Sequence, residues 1–186
     1  MTKIEFMVSV VILFSIIEIF IICQYIIQKK IGRLSENIIV TVVAILFVLF
    51  KEKLGIQMYD FLTVFWLITI LGHTFIGEYF KVYRKSKTYD RYLHLFGSFT
   101  FSLFVYSIIS SLMKPVPSSK GYVAVLIATL GISVGVFFEL AEFTLDTAAK
   151  KKKYQKSQHG LADTDYDMIF NVIGSVIAAI LSPVIF

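Results

Sequence analysis

The sequence is poor in cysteine, in proline and in charge. The shortages of cysteine and of charge each exclude a class of protein. Its one cysteine cannot form a disulfide within the chain, and only three of the 186 residues are prolines. Charged residues make up 17% of the chain and hydrophobic residues 57%. With a mean hydropathy of +0.78, this composition excludes an ordinary soluble domain and a disordered chain. It is typical of an integral membrane protein.

Long apolar runs predict six transmembrane helices in a single integral membrane domain of residues 1–186. A helix needs about 20 residues to cross the hydrocarbon core, and short polar segments separate runs of this length. The second run is the least regular, because its uninterrupted apolar part covers only residues 38–50. The expected fold class is all-α, a polytopic membrane helix bundle. The predicted spans are residues 4–27, 34–50, 59–80, 91–113, 122–145 and 166–185.

The distribution of basic residues predicts that both termini lie on the outer face. Thirteen of the 18 lysines and arginines fall in or beside the loops after the first, third and fifth spans. Loops rich in these residues are usually cytoplasmic. We therefore expect a multi-pass membrane protein whose three basic loops are cytoplasmic. Membrane lipids are its expected partners, nucleic acid is not expected despite the net charge of +5, and a homo-oligomer is left open.

Acidic residues form a stripe near the cytoplasmic end of the fifth span. Successive members of the stripe are three or four residues apart, which places them on one helical face. Two glycines continue the stripe, and they allow a neighbouring helix to approach closely. Carboxylates at this end of a helix meet the negative end of its dipole and need a metal ion, a proton or a cationic partner. The stripe consists of Gly131, Gly135, Glu139, Glu142 and Asp146.

The third and fourth spans each carry a histidine near the same side of the membrane. At the start of the fourth span, Asp90 and His94 are four residues apart and face one another on a helix. The carboxylate can orient the imidazole, or both can bind one metal ion. In the third span, His73 shares a face with Gly77, whereas Glu78 is expected to point elsewhere around the helix.

The sixth span begins with several acids and continues with a polar face. Asp163 and Asp165 are expected to act as helix caps or first-turn acids, which the helix dipole favours. Asp167, Asn171 and Gly174 follow at helical spacing and lead into the membrane. Capping does not explain Asn171 and explains Asp167 only in part.

Helix polarity brings these groups to one level at the cytoplasmic ends of the third to sixth spans. His159 is interpreted as a loop residue and Glu18 as a group that pairs with another helix. The proposed metal ligands are Asp90, His94, Glu139, Glu142 and Asp167, with His73 as a further ligand or a general base. Catalytic roles are expected for His73, Asp90, His94 and Glu139. The groups expected to hold a phosphate are Arg84, Lys85 and Arg91.

The order of these residues resembles that of a known family. The motifs are His73-x3-Gly77-x-Tyr79, Tyr89-Asp90-Arg91-x2-His94, Glu139-x2-Glu142 and Asp163-Thr164-x2-Asp167-Met168. Over roughly residues 70–180 the chain resembles the YjdF-like family of bacterial inner-membrane proteins. This resemblance implies a small multi-span protein of a bacterial cytoplasmic (inner) membrane and no particular activity. A weaker similarity, to VanZ-like envelope proteins, rests on the Asp90/His94 pair and on Asp167, Asn171 and Gly174.

Three functions fit this pattern. The favoured one is a divalent-metal-dependent enzyme that acts on a lipid or a lipid-linked headgroup. Oxygen ligands suit Mg²⁺, Mn²⁺ or Ca²⁺, whereas histidine with carboxylates also suits Zn²⁺ or Fe²⁺, so the identity of the metal stays open. The alternatives are an ion- or proton-coupled small-molecule transporter and a structural or envelope-stress membrane protein. In the last case the polar layer only holds helices together.

Overall fold

The computed structural model describes residues 2–114, 119–149 and 161–186. Almost all of these residues are helical, and none of them forms a strand. His159 and the basic run of residues 150–153 lie outside the described residues. The all-α prediction is therefore confirmed for the described part of the chain.

Seven helices are described, and six apolar segments are long enough to cross a membrane. The helices are α1 (Lys3–Ile27), α2 (Ile31–Phe50), α3 (Asp60–Leu71), α4 (Val82–Lys85), α5 (Lys87–Met113), α6 (Lys120–Ala149) and α7 (Leu161–Ile185). A π-helical segment, Gly72–Tyr79, continues α3. The candidate spans are Ile4–Ile27, Ile31–Phe50, Asp60–Tyr79, Thr88–Met113, Lys120–Thr144 and Leu161–Ile185. The side on which the termini lie stays a prediction.

Three helices, α2, α5 and α7, begin at least three residues earlier than the sequence predicted. Polar residues indicate the ends of spans in the sequence, but the first turn of a helix accommodates them because its N–H groups need partners. The change matters for the second span, because α2 has 20 residues and is about 30 Å long at 1.5 Å per residue. That length is enough to cross the hydrocarbon core.

The helix starts decide which residues cap the helices and which acids lie in a first turn. The Ser86 hydroxyl accepts the Tyr89 N–H at 3.2 Å, so Ser86 is the residue that caps α5. Asp90 lies in the first turn of α5, and its carboxylate faces His94, one turn further along the helix. In α7, which begins at Leu161, Asp163 lies in the first turn instead of at the cap, and Asp165 lies inside the helix.

The chain divides into two compact units, Met1–Tyr89 and Asp90–Phe186, called unit 1 and unit 2 below. In unit 1, α1 packs against α2, α3 and the π-helical segment. Phe14 and Ile21 of α1 are buried there, whereas Leu13 and Ile16 are exposed, as expected of a helix with one face toward lipid. In unit 2, α6 and α7 pack along each other.

Glycines allow the helices of unit 2 to approach closely, as the sequence predicted for Gly131 and Gly135. A Cβ atom on Gly131 would collide with the side chains of Ser102 and Ser175. A Cβ on Gly135 would collide with the side chain of Asn171. This packing sets Asn171 of α7 against α6, where it becomes part of the polar site of unit 2.

Candidate functional site

Unit 2 brings together three of the predicted metal ligands. Asp90 and His94 lie one turn apart on α5, and Asp167 comes from α7. One potential ligand atom from each of these residues lies within 4.8 Å of the other two. Asp167 is 5% exposed. The three residues are called the Asp-His-Asp group below.

Hydrogen bonds orient the imidazole of His94 within this group. Its Nδ1 lies 3.2 Å from the side-chain oxygen of Asn171, which also accepts the Ser98 hydroxyl at 2.6 Å. An amide oxygen only accepts hydrogen bonds, so Nδ1 carries the hydrogen. In the neutral ring, Nε2 then has a free lone pair. It faces Asp90 Oδ1 at 3.6 Å and Glu139 Oε1 at 3.8 Å.

Two buried carboxylates concentrate negative charge in the polar site around His94. Glu139 is 6% exposed and lies close to His94, on the face of α6 that the glycine stripe predicted. Asp167 Oδ1 is buried and has no hydrogen-bond partner among the described residues. A buried carboxylate oxygen without a partner is costly, and a cation or a proton removes that cost.

Other residues predicted for the site lie on α6, α5 and α4. Glu142 is half-buried on α6, and the side chain of Asp146 lies outside the described part. Arg91 of unit 2 stacks its guanidinium on the ring of Tyr166 at 3.9 Å. Arg84 is exposed on α4 of unit 1. The expected phosphate contacts of both arginines stay predictions.

Unit 1 contains a second polar site, formed around His73. Nε2 of His73 lies 3.5 Å from Glu36 Oε1, and Nδ1 lies 2.9 Å from the Tyr83 hydroxyl. Arg33 joins two acids, with its guanidinium 3.2 Å from Glu36 and 3.0 Å from Glu78. We call Arg33, Glu36, His73 and Glu78 the ionic cluster. Sequence reasoning missed Arg33 and Glu36, although their spacing of three residues is typical of a helical ion pair.

The π-helical segment explains how Glu78 joins His73, against the sequence expectation. In an α-helix, side chains five residues apart differ by about 140° around the axis. The i→i+5 bonding of a π-helix widens the turn and brings such positions closer to the same side. His73 and Glu78 therefore line the same cavity. The Tyr89 hydroxyl supports this segment by donating to the backbone carbonyl of Gly72 at 2.7 Å.

Glu18 is completely buried in the middle of α1 and bonded to two other segments. Its Oε2 accepts the Asn37 amide at 2.5 Å and the Thr41 hydroxyl at 3.2 Å. Its Oε1 lies 2.6 Å from the Thr74 hydroxyl. The interpretation that Glu18 pairs with another helix is confirmed.

Basic residues gather where α1 ends and α4 begins. Partial burial, followed by the positive charges of Lys81 and Arg84, holds the pKa of Lys30 below its ordinary value. These groups repel one another, and the anionic headgroups of a membrane surface would offset that repulsion.

The role of Arg33 in unit 1 can be tested by replacement with glutamine. Arg33→Gln leaves Glu36 and Glu78 close to one another without the cation between them. We expect the free energy of unfolding to fall by about 1–3 kcal/mol, since both acids are only partly screened by solvent. A denaturant titration of the purified protein in micelles measures this. Lys85→Gln, a charge change at an exposed position of α4, should leave the stability unchanged, and equal losses would contradict the assignment.

Six apolar helices with buried polar groups define a polytopic α-helical membrane protein. The model of a family described as "Predicted membrane protein (DUF2238)" matches residues 8–186, so the chain belongs to this family. This confirms the resemblance to YjdF-like proteins. An uncharacterised protein of Thermotoga maritima is 37% identical over 107 residues, which are 57% of this chain and 53% of the relative. The matching region thus spans about half of that relative's length. No solved structure matches the chain.

Proposed function

We propose that unit 2 binds a divalent metal ion and uses it to act on a lipid or lipid-linked headgroup in a bacterial cytoplasmic membrane. The observation that carries the proposal is the buried Asp167 carboxylate. One of its oxygens lacks a hydrogen-bond partner among the described residues, and the residue groups with Asp90 and His94. A cation in the middle of this group would balance the buried charge.

The spacing of the donors fits a metal ion. His94 Nε2 lies 3.6 and 3.8 Å from the nearest oxygens of Asp90 and Glu139. These distances exceed those of ordinary N–H···O hydrogen bonds. Ligand atoms around a tetrahedral ion with bonds of about 2.1 Å lie about 3.4 Å apart. One nitrogen and several carboxylate oxygens suit Zn²⁺, Mn²⁺ or Fe²⁺.

The position of the group suggests the class of substrate. Asp90 is in the first turn of α5, and Asp167 is the seventh residue of α7. Both lie near an end of a candidate span, where lipid headgroups are found. Arg91, next to Asp90, supplies a cation that can pair with a phosphate.

Each residue of the group has a chemical role in this proposal. Asp90, His94 and Asp167 would hold the metal, which when bound supplies Lewis-acid activation of a phosphoryl oxygen or of water. Glu139 would accept a proton from an attacking water as a general base. Asn171 fixes the tautomer and direction of His94. A part for His73 in the same reaction stays a prediction.

The contribution of Asn171 can be measured through metal affinity. Asn171→Ala removes the acceptor for His94 Nδ1 and leaves every proposed ligand in place. Losing such an orienting partner lowers metal affinity by about 10- to 100-fold, and we expect a loss in this range in a calorimetric titration. Ser98→Ala, which removes only the second donor to the Asn171 oxygen, should cause a smaller loss. An unchanged affinity in Asn171→Ala would contradict the orienting role.

The enzymatic part of the proposal is tested in vesicles of phosphatidylglycerol and phosphatidylethanolamine. The reconstituted protein should release a phosphate-containing headgroup, and chelation of the metal or His94→Ala should stop the release. No release from a metal-saturated protein would contradict a lipid-active enzyme. Metal-ion flux into the vesicles without release would instead favour a transporter.

A further inference from the structure

The carboxyl group of Glu18 has only neutral hydrogen-bond partners in the described part of the chain. They are one amide and two hydroxyl groups, from Asn37, Thr41 and Thr74. Glu18 is 0% exposed. An ionised carboxylate among apolar helices without a cation is far more costly to bury than a neutral carboxylic acid. The surroundings of Glu18 therefore favour its neutral form.

The hydrogen bonds around Thr74 are compatible with the same form. The Thr74 hydroxyl lies 2.6 Å from Glu18 Oε1 and 3.0 Å from the carbonyl oxygen of Ile70. A carbonyl oxygen only accepts, and a hydroxyl has one hydrogen to donate. If Thr74 donates to Ile70, Glu18 Oε1 must supply the hydrogen of the other bond. Oε2 then accepts from Asn37 and Thr41, so a protonated Glu18 satisfies all four bonds.

A cavity connects the surroundings of Glu18 with the ionic cluster. Two of the three Glu18 partners, Asn37 and Thr74, line it. Asn37 is 3% exposed, and its side-chain oxygen has no hydrogen-bond partner among the described residues. That oxygen is an acceptor at the cavity wall next to Glu18. The titratable or charged residues that line the cavity are Tyr25, Arg33, Glu36, His73 and Glu78.

Exposure rises from Glu18 toward the ionic cluster. The side chains of His73 and Glu36 are 39% and 40% exposed, whereas Glu18 is fully buried. Their Nε2 and Oε1 atoms are 3.5 Å apart. Both groups can take up and release protons, because imidazole and carboxyl groups are ionisable. Unit 1 thus places proton-exchanging groups at the accessible part of the cavity and a buried carboxyl beside its wall.

We propose that Glu18 is a proton-binding site inside unit 1, which exchanges its proton through the cavity lined by Asn37, Thr74 and the ionic cluster. In each exchange the Oε1–H bond of Glu18 breaks, the proton leaves through the cavity, and a proton from the cavity forms the bond again. The net charge of the site is unchanged. This site is independent of the metal chemistry proposed for unit 2.

Infrared spectroscopy of the full-length protein in lipid nanodiscs tests the proposal. A protonated carboxyl gives a C=O band distinct from that of a carboxylate, and ¹³C labelling of glutamate assigns the band to glutamate. We expect one such band that shifts in D₂O and is lost in Glu18→Gln. The matched control is Glu52→Gln, at an exposed position, which should keep the band. Folded Glu18→Gln protein with the wild-type band would overturn the proposal.

Two further variants test the hydrogen-bond assignment and the route. Thr74→Val removes the acceptor of the Glu18 proton at nearly constant volume, so the band should remain and move to higher frequency. His73→Leu removes a proton-exchanging group from the cavity, and Val40→Phe fills the cavity, so both should slow the shift of the band in D₂O. Deuteration at the wild-type rate in both variants would overturn the cavity route. Circular dichroism and gel filtration confirm that each variant is folded.

Discussion

Replacement of Asp167 by asparagine is expected to abolish stoichiometric binding of a divalent metal. Asparagine keeps the shape of the side chain but removes the charge that a metal would balance. Loss of a direct ligand should exceed the effect of losing an orienting partner, so affinity should fall by more than about 100-fold. Metal analysis of protein purified without chelators, followed by titration with Zn²⁺ and Mn²⁺, measures this. The wild-type protein should hold one ion per chain.

The matched control for this prediction is Asp165→Asn. Asp165 is on the same helix, two residues earlier, and its side chain is exposed. The substitution makes the same change in net charge without touching the Asp-His-Asp group. We expect the affinity of Asp165→Asn to equal that of the wild type. Wild-type metal content in Asp167→Asn, or an equal loss in both variants, would contradict a specific site at Asp167.

Gly174→Ala is expected to cause the largest loss of stability among simple substitutions in unit 2. A Cβ atom at this position would collide with the backbone carbonyl of Leu95. A backbone group cannot rotate away as a side chain can, so helices α5 and α7 must separate. Overpacking of this kind typically costs about 1–3 kcal/mol, and rigid backbone contact places the expected loss at the upper end. Unfolding in mixed micelles measures the change in free energy.

Gly121→Ala is the control for the packing prediction. No atom lies within 4 Å of the position that a Cβ at Gly121 would take. Alanine is also favoured over glycine in a helix by up to about 1 kcal/mol. This variant should therefore be as stable as the wild type or slightly more stable. Equal stability of Gly174→Ala and Gly121→Ala would show that α5 and α7 are not in the close contact described here.

Helical periodicity predicted most of the unit 2 arrangement. Asp90 and His94, four residues apart, do face each other, and Glu139 does reach His94 from the glycine-lined face of α6. The sequence also placed Asn171 on the face of Asp167. These relations follow from the regular α-helix, where residues three or four apart share a side. Hydropathy likewise sufficed for the six spans.

The arrangement of unit 1 was harder to predict, because it depends on a departure from the α-helix. A π-helical segment cannot be read from the α-helical period, and it places Glu78 beside the cavity that His73 lines. The contact of Glu36 with His73 also escaped prediction, although residue 36 lies inside the predicted second span. Position along the membrane normal alone assigned His73 to the layer of His94. It did not reveal which neighbours His73 would have within unit 1.

X-ray absorption at the metal edge tests the central claim most directly, because it reports the atoms that surround a bound ion in the intact protein. The account predicts one ion per chain in a shell of nitrogen and oxygen atoms that includes the imidazole of His94. The imidazole signal should disappear in His94→Ala. A protein that takes up no divalent metal, or a metal whose shell contains sulfur and no imidazole, would contradict it.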